Sequence, residues 1–455
     1  MFKKNLALFL DLYELTMAQA YFKKRNPIVF FELFVRKLPQ NWGYLISAGL
    51  EDICDYLLNF RFQKEDLLYL KKRGFDQKFL DYLKNLRFSG DLWAIEEGEL
   101  VFPNEPILQI KAPLIEAQIF ETFFLNTINF QTLIATKASR IVKSAQKKPV
   151  VDFGARRAQG IDASLKVARA SYIGGVIGTS NVLAGKIYHL PIFGTMAHSF
   201  VQAFPDEKSA FKTWLKIWGK DTILLVDTYD TLKGTKNAIE AVKEVIGKKE
   251  LKGVRLDSGD VVFLSKKVRE ILDKNGFKKT KIFLSSGLDE YKIDEILKKG
   301  AKVDAFGVGT SLAVSDDAPA LDSCYKLVAI KEKGIFQPKM KIAEKEKETL
   351  PAPKQVFRYE KNGKFVKDVI GLKEEKLSGK KMLVQIFKKG KLVYKLPSLE
   401  KIRKKVSQNL KKLPQKYQKI KNPSSFPVKV SEKLLKVKKE VLKLIKPDID
   451  NDGKK

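Results

Sequence analysis

Between about residue 150 and residue 310 the chain alternates two hydrophobic rhythms. Short runs of β-branched and apolar residues recur every ~25–40 positions, and each ends in Gly, Asp, Ser or Thr. They are Val150–Gly154, Leu190–Thr195, Ile223–Thr228, Gly253–Gly259, Ile282–Gly287 and Ala305–Thr310. Helix-period stretches fill the gaps. From Val261 to Lys274, for example, apolar residues fall at Val262, Leu264, Val268, Ile271 and Leu272. Apolar strand, polar strand end and helix, repeated in that order, predict parallel β/α architecture. Polar residues gathered at strand C-termini favour a barrel with its site on that face. An open doubly wound sheet is the competing arrangement.

The flanks read differently. Helical patterns at Gly49–Phe60 and Ala117–Ile128 sit among β-like runs at Ile28–Val35 and Leu100–Ile110, and a further β-like run spans Tyr325–Ile330. The expected class is therefore α/β. A (β/α) barrel-like central domain covers residues 131–324, and an N-terminal α+β domain covers 1–130 and is completed by 325–395. A small, lysine-rich, helical C-terminal region covers 396–455. That last region carries Pro414, Pro423 and Pro427, then an amphipathic pattern from Glu432 to Ile445 that predicts a helix docked on the body; contact with an acidic surface is the alternative.

Composition narrows the classes. The chain has 455 residues, 44% hydrophobic and 31% charged, which fits a folded protein with a large core. It has no apolar run of ~18 residues, and no secretory leader pattern follows Lys3 and Lys4. Cys54 and Cys324 show neither metal-ligand spacing nor a disulfide framework, so a reducing cytoplasm is the expected setting. Only two histidines occur, His189 and His198, which excludes a His-rich metal site. The net charge of +33 raises a nucleic-acid partner as one reading. Against it, only 13 of the 86 basic residues are arginine, the residue that favours base reading and bidentate phosphate grip. The lysines are interleaved with glutamates, as at Glu344–Glu348, in the manner of a solvated face.

Seven motifs in register carry a resemblance. They are Asp11–Met17 (DLYELTM), Ile128–Lys137 (INFQTLIATK), Asp152–Gly160 (DFGARRAQG), Ile177–Gly185 (IGTSNVLAG), Gly194–Phe200 (GTMAHSF), Arg255–Asp260 (RLDSGD) and Phe306–Thr310 (FGVGT). Together with Ser398–Arg403, Asn422-Pro423 and Pro427-Val428 they resemble the nicotinate phosphoribosyltransferase family over nearly the whole chain. One departure is Leu10, where the family usually has Thr. The metal-binding tail of some longer members is missing.

The resemblance implies an ATP-coupled enzyme of NAD salvage that joins nicotinate to a phosphoribosyl group and releases pyrophosphate. Its ring pocket would stack the pyridine between Phe153 and Tyr13 of a neighbouring subunit, in a homodimer with shared sites. Arg255 suits the nicotinate carboxylate, with Thr195 and Ser180 as hydroxyl donors. Related nicotinamide-using enzymes carry Asp where Ser180 stands, so Ser180 favours the acid over the amide; an N-cap role is its other reading. Gly307, Gly309 and Thr310 form a candidate phosphate cradle, extended by Ser285–Gly287 with Ser286 at its centre. Arg156 is the phosphate-contacting cation, and Arg157 and Lys137 are weaker candidates. Asp257 and Asp260 could hold ribose hydroxyls or the Mg²⁺ that travels with pyrophosphate. The family uses a histidine at the place of His198 to accept the ATP γ-phosphoryl group, and Asp227 would orient its ring. The expected partners are small substrates only, with no specific nucleic acid and no membrane. Nicotinamide use is the runner-up and quinolinate use a more distant one. A basic nucleic-acid-binding protein with an inactive barrel is the alternative from another class.

Overall fold

The computed structural model describes residues 6–342 and 348–445, so most of the Glu344–Glu348 charge run lies outside the described residues. The chain divides into two compact units, Ile134–Pro319 and the combination of Met1–Leu133 with Ala320–Lys455. No described helix is long and apolar enough to cross a membrane.

The Ile134–Pro319 unit is built on parallel strands. Val150–Asp152 pairs with Ala305–Val308, which pairs with Lys281–Leu284, then Gly253–Leu256, then Ile223–Leu225. On the far side of Asp152 the order continues through single parallel bridges to Thr179 and from Thr179 to Ile192. The strands thus follow chain order around a barrel-like ring. Among the described residues no strand pairing joins Ile192 to Ile223–Leu225, which leaves one seam. One expectation needs correction here, and one ring position is additional to it. Leu190–Thr195 supplies a single bridge rather than a strand, because Pro191 has no N–H to give and only its carbonyl takes part, accepting from Thr179 N at 3.1 Å. The neighbouring ring position belongs to the 176–180 segment, where Gly178 O accepts from Asp152 N at 2.9 Å.

Helices cover the ring, and four of them start on an aspartate side chain. Asp206, Asp230, Asp260 and Asp289 cap the helices Glu207–Trp218, Thr231–Ile246, Val261–Lys274 and Glu290–Lys298. Their apolar faces meet the strands in one core that includes Leu224, Val254, Ile282, Phe306, Val242, Val268 and Ile293.

The other unit holds an antiparallel seven-stranded sheet in the order 335–338, 323–332, 28–35, 106–113, 91–95, 383–388, 391–392. Its central strand, Ile28–Val35, is buried along nearly its whole length. Glu32, in the middle of that strand, is paired with Lys354 Nζ at 2.6 Å and accepts from Gln109 Nε2 at 2.6 Å. A four-stranded sheet lies in the same unit, and its strand Lys354–Lys361 carries Arg358. That guanidinium is bound to Asp368 at 2.6 Å, and both groups are buried. The expected Ala117–Ile128 helix is in fact two, Leu114–Ile119 and Glu121–Ser144, so the unit boundary falls inside a helix.

Residues 396–445 are not a separate extension. The strand Val428–Val430 pairs in parallel with Lys364–Leu372, and Asn409 Nδ2 donates to Gly98 O and Glu99 Oε2, both at 3.0 Å. Gly98 (φ +82°) is obligatory at this contact, since a Cβ there would lie 2.9 Å from Ile402 O. The helix Glu432–Ile445 docks through Leu434 and Val441, and Lys438 bonds Glu348 at 2.7 Å.

Glu14, on the helix Leu12–Lys24, is fully buried. Its Oε1 accepts from Thr122 N (2.9 Å) and Oγ1 (2.7 Å), while Oε2 has no partner. Burial pushes its carboxyl up to about 8; the Thr122 bonds oppose this, and Glu121 and Asp11 add to it. A carboxyl raised on folding favours the fold below its ordinary pKa of ~4.3, and that contribution is lost as pH rises through about 8. Glu14→Gln is therefore expected to be the more stable protein above pH 8 by on the order of 1 kcal/mol, with the gap closing toward pH 4. Urea melts at both pH values check this; a gap that is constant with pH refutes it.

Candidate active site

The ring's strands are parallel, so their C-terminal ends share one mouth. Asp152 and Phe153 leave the first strand there. Asp152 is fully buried; Oδ1 accepts from Gly154 N and Oδ2 from Thr179 Oγ1, both at 2.7 Å. Burial raises its pKa, and these two bonds oppose the shift. Asp152 thereby locks the Phe153-Gly154 turn to the Gly178-Thr179-Ser180 segment. Phe153 N donates to Val308 O at 2.8 Å, and the Phe153 ring lies 5.6 Å from that of Phe283. It also rests on Gly307, where a Cβ would sit 2.6 Å from the ring, so only glycine admits the ring there.

Opposite lies a polar cluster. Arg255 is 13% exposed. Its Nη2 donates to Met196 O at 2.9 Å and its Nη1 to Ser285 Oγ at 3.2 Å, while Nε is buried without a partner. Burial pulls the guanidinium's pKa down, nearby Arg156 adds to this, and Asp257 and Asp227 oppose it. Two guanidiniums within electrostatic reach of each other, one with an unused donor, suit an anionic ligand. Thr195 Oγ1 donates to the same Met196 carbonyl at 3.1 Å, so the two candidate carboxylate donors meet at one atom.

Asp257 is the centre of the cluster. Its Oδ1 accepts from Ser285 Oγ at 2.5 Å and lies 3.7 Å from Arg255 Nη1, and its Oδ2 lies 3.9 Å from His198 Nε2. His198 is 42% exposed at the start of the short helix His198–Gln202, and its Nδ1 is 3.2 Å from Thr228 Oγ1. Asp227 therefore does not orient the imidazole as expected. Its Oδ2 accepts from Asp257 N (2.7 Å) and Ser258 Oγ (2.8 Å), which fixes the Asp257 turn instead. The contact to the ring falls to Thr228, one residue on. The Val226–Asp230 segment does carry the histidine's partner, but it is the hydroxyl between Asp227 and Tyr229 rather than a carboxylate.

Other candidates settle as follows. Ser180 is not a helix cap; that role is taken by Asn181, whose side chain accepts from Ala184 N at 3.1 Å. Ser180 N donates to Asp152 O at 2.8 Å, which holds the residue at the mouth. Gly309 opens the helix Thr310–Val314, and Thr310 is exposed. Ser286 is half-buried beside Gly287, and its carbonyl accepts from Lys292 Nζ at 3.4 Å. Arg156 and Arg157 are exposed on the turn after Phe153. Asp260 is exposed, and its Oδ1 caps Val261–Lys274, accepting from Val262 N and Phe263 N at 3.1 Å. Lys137 is corrected, since it is fully buried among carboxylates and cannot meet a phosphate. Among the described residues no group of three or more His, Cys, Asp or Glu could hold a metal ion. Tyr13, on the helix Leu12–Lys24, is 45% exposed.

Comparison with known proteins identifies the family. Three family models match: the nicotinate phosphoribosyltransferase N-terminal domain over residues 8–129, the nicotinate phosphoribosyltransferase family over 149–389, and its C-terminal domain over 376–438. The chain is 47% identical over 433 residues to the Mycobacterium tuberculosis nicotinate phosphoribosyltransferase pncB2, covering 94% of this chain and 92% of that one. It is 42% identical to the Bacillus subtilis nicotinate phosphoribosyltransferase over 478 residues, covering 98% and 97%. The crystal structure of human nicotinic acid phosphoribosyltransferase superposes with a TM-score of 0.82 at 27% identity, covering 95% of this chain and 99% of that one. With an ordered ring mouth, its arginine and histidine at one carboxylate, and matches of this extent, the chain belongs to the nicotinate phosphoribosyltransferase family.

Proposed function

We propose that the chain joins nicotinate to the phosphoribosyl group of phosphoribosyl pyrophosphate, giving nicotinate mononucleotide and pyrophosphate in NAD salvage. ATP and water are consumed alongside and leave as ADP and phosphate. The pyridine nitrogen attacks C1 of the ribose while the C1–O bond to pyrophosphate breaks, the electron pair leaving with pyrophosphate. The observation that carries the reading is the pairing at Asp257, whose two oxygens face Arg255 Nη1 (3.7 Å) and His198 Nε2 (3.9 Å).

Each residue then has a task. Phe153 offers a ring face to the pyridine, and Tyr13 from a second copy of the chain offers the other. The exposure of Tyr13 and of Leu12, at 45% and 64%, leaves both available to a neighbour in a homodimer. The orphaned Arg255 Nε and its Nη2 donor suit the nicotinate carboxylate, with Thr195 and Ser180 adding neutral hydroxyls. Ser180 adds no negative charge, which favours the acid over the amide. Asp257 can accept from ribose hydroxyls. Gly307, Gly309, Thr310, Ser286 and Arg156 receive the phosphates. Mg²⁺ bound to pyrophosphate would neutralise its charge and asks little of the protein; Asp257, and Asp260 through the oxygen its cap does not use, are the carboxylates that would hold it. His198, exposed and held by Thr228, is the acceptor for the ATP γ-phosphoryl group, and its phosphorylation would tighten substrate binding. Two free, buried cysteines agree with a cytoplasmic setting.

Parallel incubations with nicotinate, nicotinamide and quinolinate, with and without ATP, test this. Mononucleotide should form fastest from nicotinate and faster with ATP; preferential use of either other substrate overturns the assignment. His198→Ala should abolish acid-labile phosphate on the protein and the stimulation by ATP while leaving slow ATP-independent turnover. Arg255→Lys should raise the KM for nicotinate by ~10–100-fold, because an ammonium cannot reproduce a paired guanidinium contact. Ser180→Asp should move the preference from nicotinate toward nicotinamide, read as a ratio of kcat/KM values.

A further inference from the structure

Within the Ile134–Pro319 unit, one buried cation has no part in the chemistry above. Lys137, on the helix Glu121–Ser144, has no exposed side-chain surface. Its Nζ lies 2.7 Å from Glu290 Oε2, 2.7 Å from Asp317 Oδ1 and 3.3 Å from Asp316 Oδ1. Arg140, about one turn along the same helix, donates Nε to Glu290 Oε1 at 2.9 Å and Nη2 to the Tyr291 hydroxyl at 3.0 Å.

The carboxylates come from two different loops. Glu290 begins the helix that follows Ser285-Ser286-Gly287. Asp316 and Asp317 follow the short helix that starts at Gly309, and Asp316 Oδ1 also accepts from Ser311 Oγ at 2.9 Å. These are the two loops assigned above to the phosphates. The pairing between the two strands that lead into them ends at Leu284 and Phe306, so beyond those residues their ladder no longer sets the spacing of the loops. Glu290 is buried with Lys137, while Asp317 and Asp316 are 23% and 49% exposed, and three carboxylates gathered around one point repel each other unless a cation sits between them. The buried part, the Lys137–Glu290 pair, is of a kind often no more stabilising than well-packed apolar residues of the same volume, so stability alone does not account for it.

We propose that Lys137 is a positioning residue for the phosphate-binding loops. Through Glu290 and Asp317 it fixes the gap between the Ser285–Gly287 loop and the Gly307–Thr310 turn, and so sets the affinity for phosphoribosyl pyrophosphate without touching it. The role rests on the phosphoribosyl-transfer reading.

Lys137→Met and Asp317→Asn in the full chain test it, with phosphoribosyl pyrophosphate as the probe in both calorimetry and kinetics. For Lys137→Met the Kd and KM for phosphoribosyl pyrophosphate should rise roughly tenfold, equivalent to ~1.4 kcal/mol. The KM for nicotinate and kcat should stay within about twofold of wild type. Asp317→Asn should shift the same two constants in the same direction by a smaller factor, with little change in melting temperature, because its side chain is partly exposed at 23%. Unchanged affinity for phosphoribosyl pyrophosphate in Asp317→Asn overturns the proposal, also where Lys137→Met does not fold. A uniform loss in both substrates that follows a lowered melting temperature overturns it too, as that marks a merely structural role. Wild-type protein that binds phosphoribosyl pyrophosphate yet makes no nicotinate mononucleotide would sink the reaction instead, and the Kd ratios would still decide the role of Lys137.

Discussion

The Asp257 carboxylate organises the mouth of the ring, and its own position depends on a second carboxylate. Asp227 accepts from the Asp257 backbone N–H and from the Ser258 hydroxyl, so it holds the turn that presents Asp257. Arg255, Ser285 and His198 then arrange themselves around the two Asp257 oxygens. Arg255 and His198 belong to different strand-end segments, 57 positions apart in sequence (255 − 198). One carboxylate lies within 4 Å of both, and a change at either is felt by the other through its charge.

Close packing sets the other side of the mouth. The Phe153 ring lies on Gly307 and near Phe283, and Asp152 pins the turn beneath it. A ring that is to stack on a substrate must keep its face open and its edge fixed, and a bare glycine backbone under it allows both. The aromatic side of the site is therefore held by backbone approach, and the polar side by hydrogen bonds.

Much of this was legible in the chain itself. The alternation of apolar strands with polar ends gave the parallel ring, since a buried parallel strand must be apolar and its C-terminal residue need not be. Asp230, Asp260 and Asp289 each precede a helix-period run, and all three proved to be caps. Asp260 illustrates the limit: a cap and a metal ligand look alike in sequence, and the cap shows only in the positions of Val262 N and Phe263 N. The ring position at 176–180 was hidden because it pairs through single bridges and lacks a long apolar run. Lys137 was hidden in a different way. Its three carboxylate partners lie more than 150 positions away, and nothing local separates a buried lysine from the many solvated ones. The place of Thr228 beside His198 is likewise a product of the ring closing, as the two are 30 residues apart.

The seam between Ile192 and the strand Ile223–Leu225 is spanned by side chains where the rest of the ring has a backbone ladder. Arg255 reaches across to the Met196 carbonyl, and the His198 imidazole meets the Thr228 hydroxyl. An anion that recruits the guanidinium competes with that carbonyl for the same N–H, so occupancy and the closure of this joint are linked equilibria rather than separate events. The join that lacks a backbone ladder and the candidate site thus fall on the same stretch of the barrel wall.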